Sequence, residues 1–316
     1  MTKSALLRIG TRGSPLALAQ AQEVRARLAA AHGELAGEGA VEIVVIKTSG
    51  DRIQDRALAE IGGKGLFTKE IEDALLEGAI DLAVHSMKDV PTWLPEGLEI
   101  TTVLPREDPR DALFAREARS LAELPRGAVV GTSSLRRQAQ VLMARPDLEV
   151  VSLRGNVGTR LRKLEEGQVD ATMLAVAGLK RLGEAARITA ALAPEEMLPA
   201  VAQGAIGLEA RSEDAGTCDW LEALDDRVSA CRVEAERACL EVLDGSCRTP
   251  IAALAEFDAP DGEIRLRALI ALPDGSEAHS AERRGPAEAA AALGRDVGAE
   301  LRAAAGPEFF AALAGD

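Results

Sequence analysis

Leu6-Leu7-Arg8-Ile9-Gly10-Thr11-Arg12-Gly13-Ser14-Pro15-Leu16-Ala17 passes from an apolar run through a polar turn into a helix start. A short apolar run stops at Gly10, after which Ser14 offers an N-cap and Pro15 the first helical position. The apolar residues Leu16, Ala19, Val24 and Leu28 carry a helix to about Ala31. Strand, polar turn and capped helix make the opening of an α/β unit, and the same grammar continues downstream. Residues 41–46 read as a strand, 66–77 as a helix stopped by Gly78, and 79–84 as a strand running into His85-Ser86-Met87-Lys88-Asp89-Val90-Pro91.

A second unit follows the linker 105–109. Val129-Val130 leads into Gly131-Thr132-Ser133-Ser134 and a helix to about Ala144; a strand over 150–153 ends at Arg154-Gly155-Asn156, with a helix over 159–166. Residues 171–175 are a buried strand, and Gly178-Leu179-Lys180-Arg181 opens another turn or helix. From about Asp226 the pattern is a helix, strands at 251–256 and 264–271, and an Ala-rich final helix. The expectation is an α/β protein with mostly parallel sheets. At 316 residues two or three domains are expected.

Apolar residues make up 47% and charged residues 28%, which suits a packed globular chain. No apolar run approaches the roughly 18 residues of a membrane span, and Met1-Thr2-Lys3-Ser4 leads into a strand without a signal-like apolar region. The expectation is a soluble cytoplasmic protein. A net charge of -14 argues against nucleic acid or an anionic membrane as partner of the whole surface. Locally the sign reverses. Residues 131–163 hold seven basic side chains against Asp147 and Glu149, whereas 205–244 hold four arginines against eleven acids. Only seven of the 37 basic residues are lysine, so where arginines cluster beside Gly, Ser, Thr and Asn a carboxylate or phosphate ligand is suggested; a solvated helix face gives the same composition.

Three junctions, at Thr11–Ser14, 132–137 and 154–160, put hydroxyl or small residues and an arginine at a helix N-terminus. Helix N-termini bind anions, and ligands of open α/β sheets gather at strand carboxyl ends. Each junction alone also reads as a plain N-cap. Asp89 sits among polar residues behind a strand, where it serves as acid, base or counter-ion, or else caps the next segment or pairs with Lys88 or Arg12. The cysteines, 218, 231, 239 and 247, have no metal spacing. Cys247 stands apart in the loop Asp244-Gly245-Ser246-Cys247-Arg248-Thr249-Pro250, where a neighbouring cation favours an accessible thiolate. Nucleotide-binding glycine motifs and the common hydrolase motifs are missing.

Taken together and in order, Gly10-Thr11-Arg12-Gly13-Ser14-Pro15-Leu16-Ala17, Gly62-Gly63-Lys64-Gly65-Leu66-Phe67, His85 to Pro91, Gly131 to Arg137, Arg154-Gly155-Asn156-Val157-Gly158-Thr159-Arg160 and Gly245 to Pro250 resemble the porphobilinogen deaminase (hydroxymethylbilane synthase) family, from residue 8 to about 255. The resemblance implies three α/β domains, the first two similar to type II periplasmic binding proteins. Domain 1 would be 1–104 with 205–225, domain 2 the arginine-rich 105–204, and domain 3, a small α/β domain, 226–316. The implied enzyme is a monomeric transferase of porphyrin (heme) biosynthesis. It joins four porphobilinogen molecules head to tail with loss of ammonia, then hydrolyses the chain to hydroxymethylbilane.

The implied cofactor is a dipyrromethane primer held by a thioether to Cys247, and Asp89 matches the catalytic aspartate. Lys88, Thr132, Ser133, Ser134, Arg136, Arg137 and Arg160 match cofactor contacts. Arg12, Ser14, Phe67, Arg154, Arg181, Gln203 and Lys64 match substrate contacts, Lys64 within a loop over 48–64. No metal, nucleic acid or membrane is implied. Ala202 departs from the glycine of many relatives, and Glu60 from a lysine of some. The rival readings are a non-enzymatic binding protein for a multi-carboxylate ligand and an enzyme using the Cys247 thiolate directly.

Overall fold

The computed structural model describes residues 5–52, 65–243, 249–259 and 262–314. Lys64 and Cys247 therefore lie outside the described residues, as do Glu60 and 244–248.

In chain order the elements are β1 (Leu7–Arg12), α1 (Pro15–Ala31), β2 (Val41–Ile46), α2 (Ser49–Arg52), α3 (Lys69–Leu76), β3 (Leu82–Ser86), β4 (Leu98–Val103), β5 (Asp111–Ala115), β6 (Val129–Gly131), α4 (Leu135–Ala144), β7 (Glu149–Val151), α5 (Val157–Glu165), β8 (Ala171–Ala175), α6 (Val176–Arg181), β9 (Ala190–Ala191), β10 (Ile206–Arg211), α7 (Ala215–Glu222), α8 (Arg227–Val242), β11 (Ile251–Phe257), β12 (Ile264–Ala271), β13 (Ala278–Gly285) and α9 (Ala290–Ala314). The described residues fall into two compact units, one of 5–52, 65–107 and 204–230, the other of 108–203, 231–243, 249–259 and 262–314.

In the first unit the sheet order is β2-β1-β3-β10-β4. β1 runs parallel to β2 and β3, while β10 is antiparallel to both β3 and β4. The second unit repeats the plan as β7-β6-β8-β5-β9, with β6 parallel to its two neighbours and β5 antiparallel to β8 and β9. A separate antiparallel sheet, β11-β12-β13, packs with α9. The α/β expectation holds, but the sheets are mixed, not mostly parallel. The reason is connectivity: in each five-stranded sheet the strand that reverses direction is remote in sequence from the strands it separates, so it enters without a β-α-β crossover.

Local physics accounts for the elements that position the site. The Ala17 N–H donates to Ser14 Oγ at 3.2 Å, capping α1 beside Pro15. Ala21, Val24 and Leu28 recur at helical spacing and are buried with Leu7 and Ile9 of β1. Burial of each such large side chain contributes about 1.5–3 kcal/mol. The helix expected over 66–77 begins later, at Lys69, because Gly65 takes a left-handed φ of 81° and a turn closes from the Thr68 N–H to its carbonyl.

Candidate functional site

The segment from His85 to Val90 shows how packing aims a carboxylate. His85 and Ser86 belong to β3 itself, not to the turn behind it. His85 is buried, and its Nε2 is hydrogen-bonded to Glu209 Oε2 of β10 at 2.8 Å. Met87 is buried against Gly207, where an added Cβ would lie 2.0 Å from the sulfur, so any larger residue would have to displace the Met87 side chain. The Met87 N–H donates to the Ala205 carbonyl, and one turn of 3-10 helix, closed from the Val90 N–H to Met87, presents half-buried Lys88 and Asp89. His85, Met87 and Val90 are buried on either side of the turn, and that packing holds it in position.

Around Asp89 lies a small pocket of about 60 Å³ lined by Arg12, Ser14, Gln20, Phe67, Thr68, His85 and Ser86, among others. Arg12, at the end of β1, places its guanidinium 4.1 Å from the Phe67 ring centre, a cation–π contact. Its Nη1 is 3.9 Å from Asp89 Oδ2, the outer limit of an ion pair and too loose to lock either group. Phe67 is held in turn by Gly50, where a Cβ would lie 2.3 Å from the ring. Ser14 accepts the capping bond but keeps its hydroxyl proton to donate. The structure thus gathers Arg12, Ser14, Phe67 and Asp89 from the sequence-based set, with Lys88 on the same turn as Asp89.

Gln20 was not singled out from the sequence. Its buried amide exchanges hydrogen bonds with Ser86 Oγ at 2.9 and 3.1 Å. A polar residue on the core-facing stripe of α1, one position before Ala21, was the available signal. Glu72 of α3 is buried as well. Desolvation pushes its carboxyl up, and the nearby Glu209 charge adds to that, while Thr68 and His85 oppose it.

The second group of candidates lies in the second unit. Thr132, Ser133 and Ser134 lead from β6 into α4, whose N-terminus Ser134 caps by accepting from the Arg137 N–H. Thr132 Oγ1 accepts from the Ser134 N–H, and Ser133 Oγ lies 3.1 Å from Ser152 Oγ. Arg136 and Arg137, in the first turn of α4, are buried and both engage Asp111. At the next junction Asn156 caps α5, Gly155 takes a positive φ of 126°, and Arg160 Nε donates to the Gly155 carbonyl. Arg160 is pushed down to about 10, first by desolvation and then by the charges of Arg137 and Arg154. Arg181 closes α6, and Gln203 is buried, its Nε2 donating to the Pro109 carbonyl and to Asp111 Oδ1.

The described cysteines suit a structural role. Cys231 and Cys239 are buried, and burial pushes the Cys239 thiol up to about 12, far from thiolate chemistry.

Two family models match the chain: "Porphobilinogen deaminase, dipyromethane cofactor binding domain" over residues 7–219, and "Porphobilinogen deaminase, C-terminal domain" over 230–303. A chloroplastic porphobilinogen deaminase of Oryza sativa subsp. japonica is 60% identical over 98% of this chain and 87% of its own. The porphobilinogen deaminase of Paracoccus denitrificans is 61% identical over 96% of each. Among solved structures, a nutrient binding protein from Burkholderia cenocepacia bound to methionine aligns with a TM-score of 0.40 at 16% identity, over 69% of this chain and 89% of that one.

Proposed function

The chain belongs to the porphobilinogen deaminase family, and from that premise we propose how its own residues carry out the family's reaction. It is an enzyme of tetrapyrrole biosynthesis that condenses porphobilinogen head to tail, releasing ammonia, and hydrolyses the product to hydroxymethylbilane. The observation that carries the site assignment is Asp89, fixed on a turn whose neighbours are anchored in the core, in one pocket with Arg12 and Phe67.

Asp89 is the catalytic carboxylate. As the aminomethyl nitrogen of a porphobilinogen leaves, positive charge develops on its pyrrole ring; it persists as the next carbon–carbon bond forms. A carboxylate held in place without reorganisation stabilises that charge at both stages and aligns the pyrrole N–H. Arg12, Ser14, Arg154, Arg181 and Gln203 bind the acetate and propionate groups of the substrate, and Phe67 stacks beside the ring that Arg12 holds. Lys64 is assigned to the same task.

The family's cofactor is dipyrromethane, and the residues present fit it. Arg136 Nε is a buried donor with no acceptor among the described residues; Ser134 caps the helix N-terminus beside it, and Arg160, pushed down by desolvation and then by neighbouring cations, follows on the next helix. Cys247 is proposed to carry the group by a thioether, with Lys88, Thr132, Ser133, Ser134, Arg136, Arg137 and Arg160 holding its carboxylates. When bound, the cofactor supplies the free ring position to which the first substrate is joined. The proposed organisation is 1–104 with 205–225 for Asp89, 105–204 for the arginines and 226–316 for Cys247, in a monomer. Among the described residues no helix is long and apolar enough to cross a membrane.

Intact mass tests this reading. The purified chain should weigh two pyrrole units more than its sequence and give an Ehrlich-positive colour, and Cys247→Ser should lose both. An unmodified mass in active protein would refute the attachment.

A further inference from the structure

A buried carboxylate stands where the sequence drew attention only to arginines. Asp111, the first residue of β5, is fully buried. Its Oδ2 is 2.8 Å from Arg136 Nη1. Its Oδ1 accepts from Arg137 Nη2 at 2.7 Å, from Arg137 Nε at 3.2 Å and from Gln203 Nε2 at 3.0 Å. Each guanidinium is pinned at a further point, Arg136 Nη1 donating to the Leu198 carbonyl and Arg137 Nη1 to that of Met173, both at 2.8 Å.

Two guanidiniums one residue apart repel each other, and burial makes that repulsion stronger. Asp111 offsets it, since one anion shared by two cations lets both be buried in one place. A strut evolved for stability alone would close its hydrogen bonds and its charge. This one closes neither. Arg136 Nε remains a buried donor without an acceptor among the described residues, and the pair puts two cations against one anion, with Arg160 near enough to Arg137 to feel its charge. The surplus is what an incoming carboxylate would neutralise.

We propose that Asp111 is a positioning residue for the dipyrromethane primer, holding Arg136 and Arg137 in the orientation in which they meet its carboxylates. The inference rests on the assignment of that arginine pair to the primer. Asp111 touches neither primer nor substrate and acts through the two guanidiniums, whose planar fork tolerates little angular error.

The experiment is intact mass spectrometry on soluble, monodisperse wild-type chain and Asp111→Asn, with circular dichroism to establish that the variant is folded. A purely structural strut would lower the yield and melting temperature but leave every folded molecule with its primer. A positioning residue would leave folded protein in which the primer-bearing fraction falls by at least about tenfold, since a misplacement of about an ångström in a positioned group costs up to roughly 10²-fold. If Asp111→Asn gives no soluble protein, Asp111→Glu keeps the charge, displaces the oxygens by one methylene and is read in the same way. Full primer loading in either folded variant overturns the proposal, and so does the absence of soluble protein from both, which would mark a stability strut. A wild-type chain without the excess mass would instead refute the cofactor assignment, so the two failures are distinguishable.

Discussion

Asp89 shows what one residue owes to its neighbours. Its position on the chain names a carboxylate behind a strand; the burial of His85 against Glu209 and of Met87 against Gly207 makes it a fixed one. The Arg12 contact at 3.9 Å is too long to tie it up. Asp89→Asn should therefore fold and melt like the wild type while kcat falls roughly 10²–10⁴-fold, the usual contribution of such a group; porphobilinogen consumption and ammonia release measure it, and near-normal turnover would remove the role assigned here. Arg12, Ser14 and Asp89 were legible because a strand end and a cap leave local signatures. Gln20 and Asp111 were not. A polar residue in a core-facing position is conspicuous only when its partner, Ser86 or the arginine pair, is known to lie beside it.

At the scale of elements, the turn over 201–204 carries a strain that the sequence marked and the backbone defines. Ala202 is buried with φ at 56°, the only non-glycine with positive φ among the described residues. Its N–H donates to Glu236 Oε2 at 2.6 Å, while Glu236 Oε1 accepts from Ala255 at 2.7 Å, so α8 clamps the turn to β11. An alanine in that conformation costs about 1–2 kcal/mol, of which glycine's greater unfolded-state entropy returns roughly half. Ala202→Gly should thus stabilise the chain by about 0.5–1 kcal/mol, visible as a higher urea midpoint at unchanged slope. An unchanged or lower midpoint would mean that the surrounding packing, not the backbone, sets the energy there. Strands bounded by turns and with a simple pattern, β2, β8 and β12, were readable to the residue. β4, β5, β10 and β13 were not, because their partners lie far along the chain or their alternation is broken by polar residues.

For the whole molecule, the net charge of -14 conceals how its acids are used. Burial alone would raise the Asp111, Asp108 and Asp214 carboxyls. The charges of Arg136 and Arg137 outweigh it for Asp111, as do the hydrogen bonds of Arg110 for Asp108 and those of Thr217 and Arg211 for Asp214, and all three lie below the usual 3.8. A depressed carboxyl contributes stability that is complete above its unfolded value and is lost as pH falls toward the folded one. Stability against urea should therefore hold down to about pH 4 and fall steeply below it. Asp111→Asn, if folded, should be less stable at neutral pH and show a flatter acid limb; identical limbs would mean that Asp111 is not the group responsible.

The family, the α/β alternation, the capped helix N-termini and the motif that holds Asp89 were all readable from the chain, because each is written in neighbouring residues through turn chemistry, hydrophobic period and local order. That both five-stranded sheets are mixed, that Met87 and His85 anchor the Asp89 turn, and that Arg136 and Arg137 share one buried carboxylate emerged from three-dimensional packing alone. Those outcomes depend on contacts across tens to more than a hundred residues of chain, Gly207 with Met87, Glu209 with His85, and Asp111 with the arginine pair and Gln203, and pairing at that distance is set by packing and charge compensation, which no local pattern encodes.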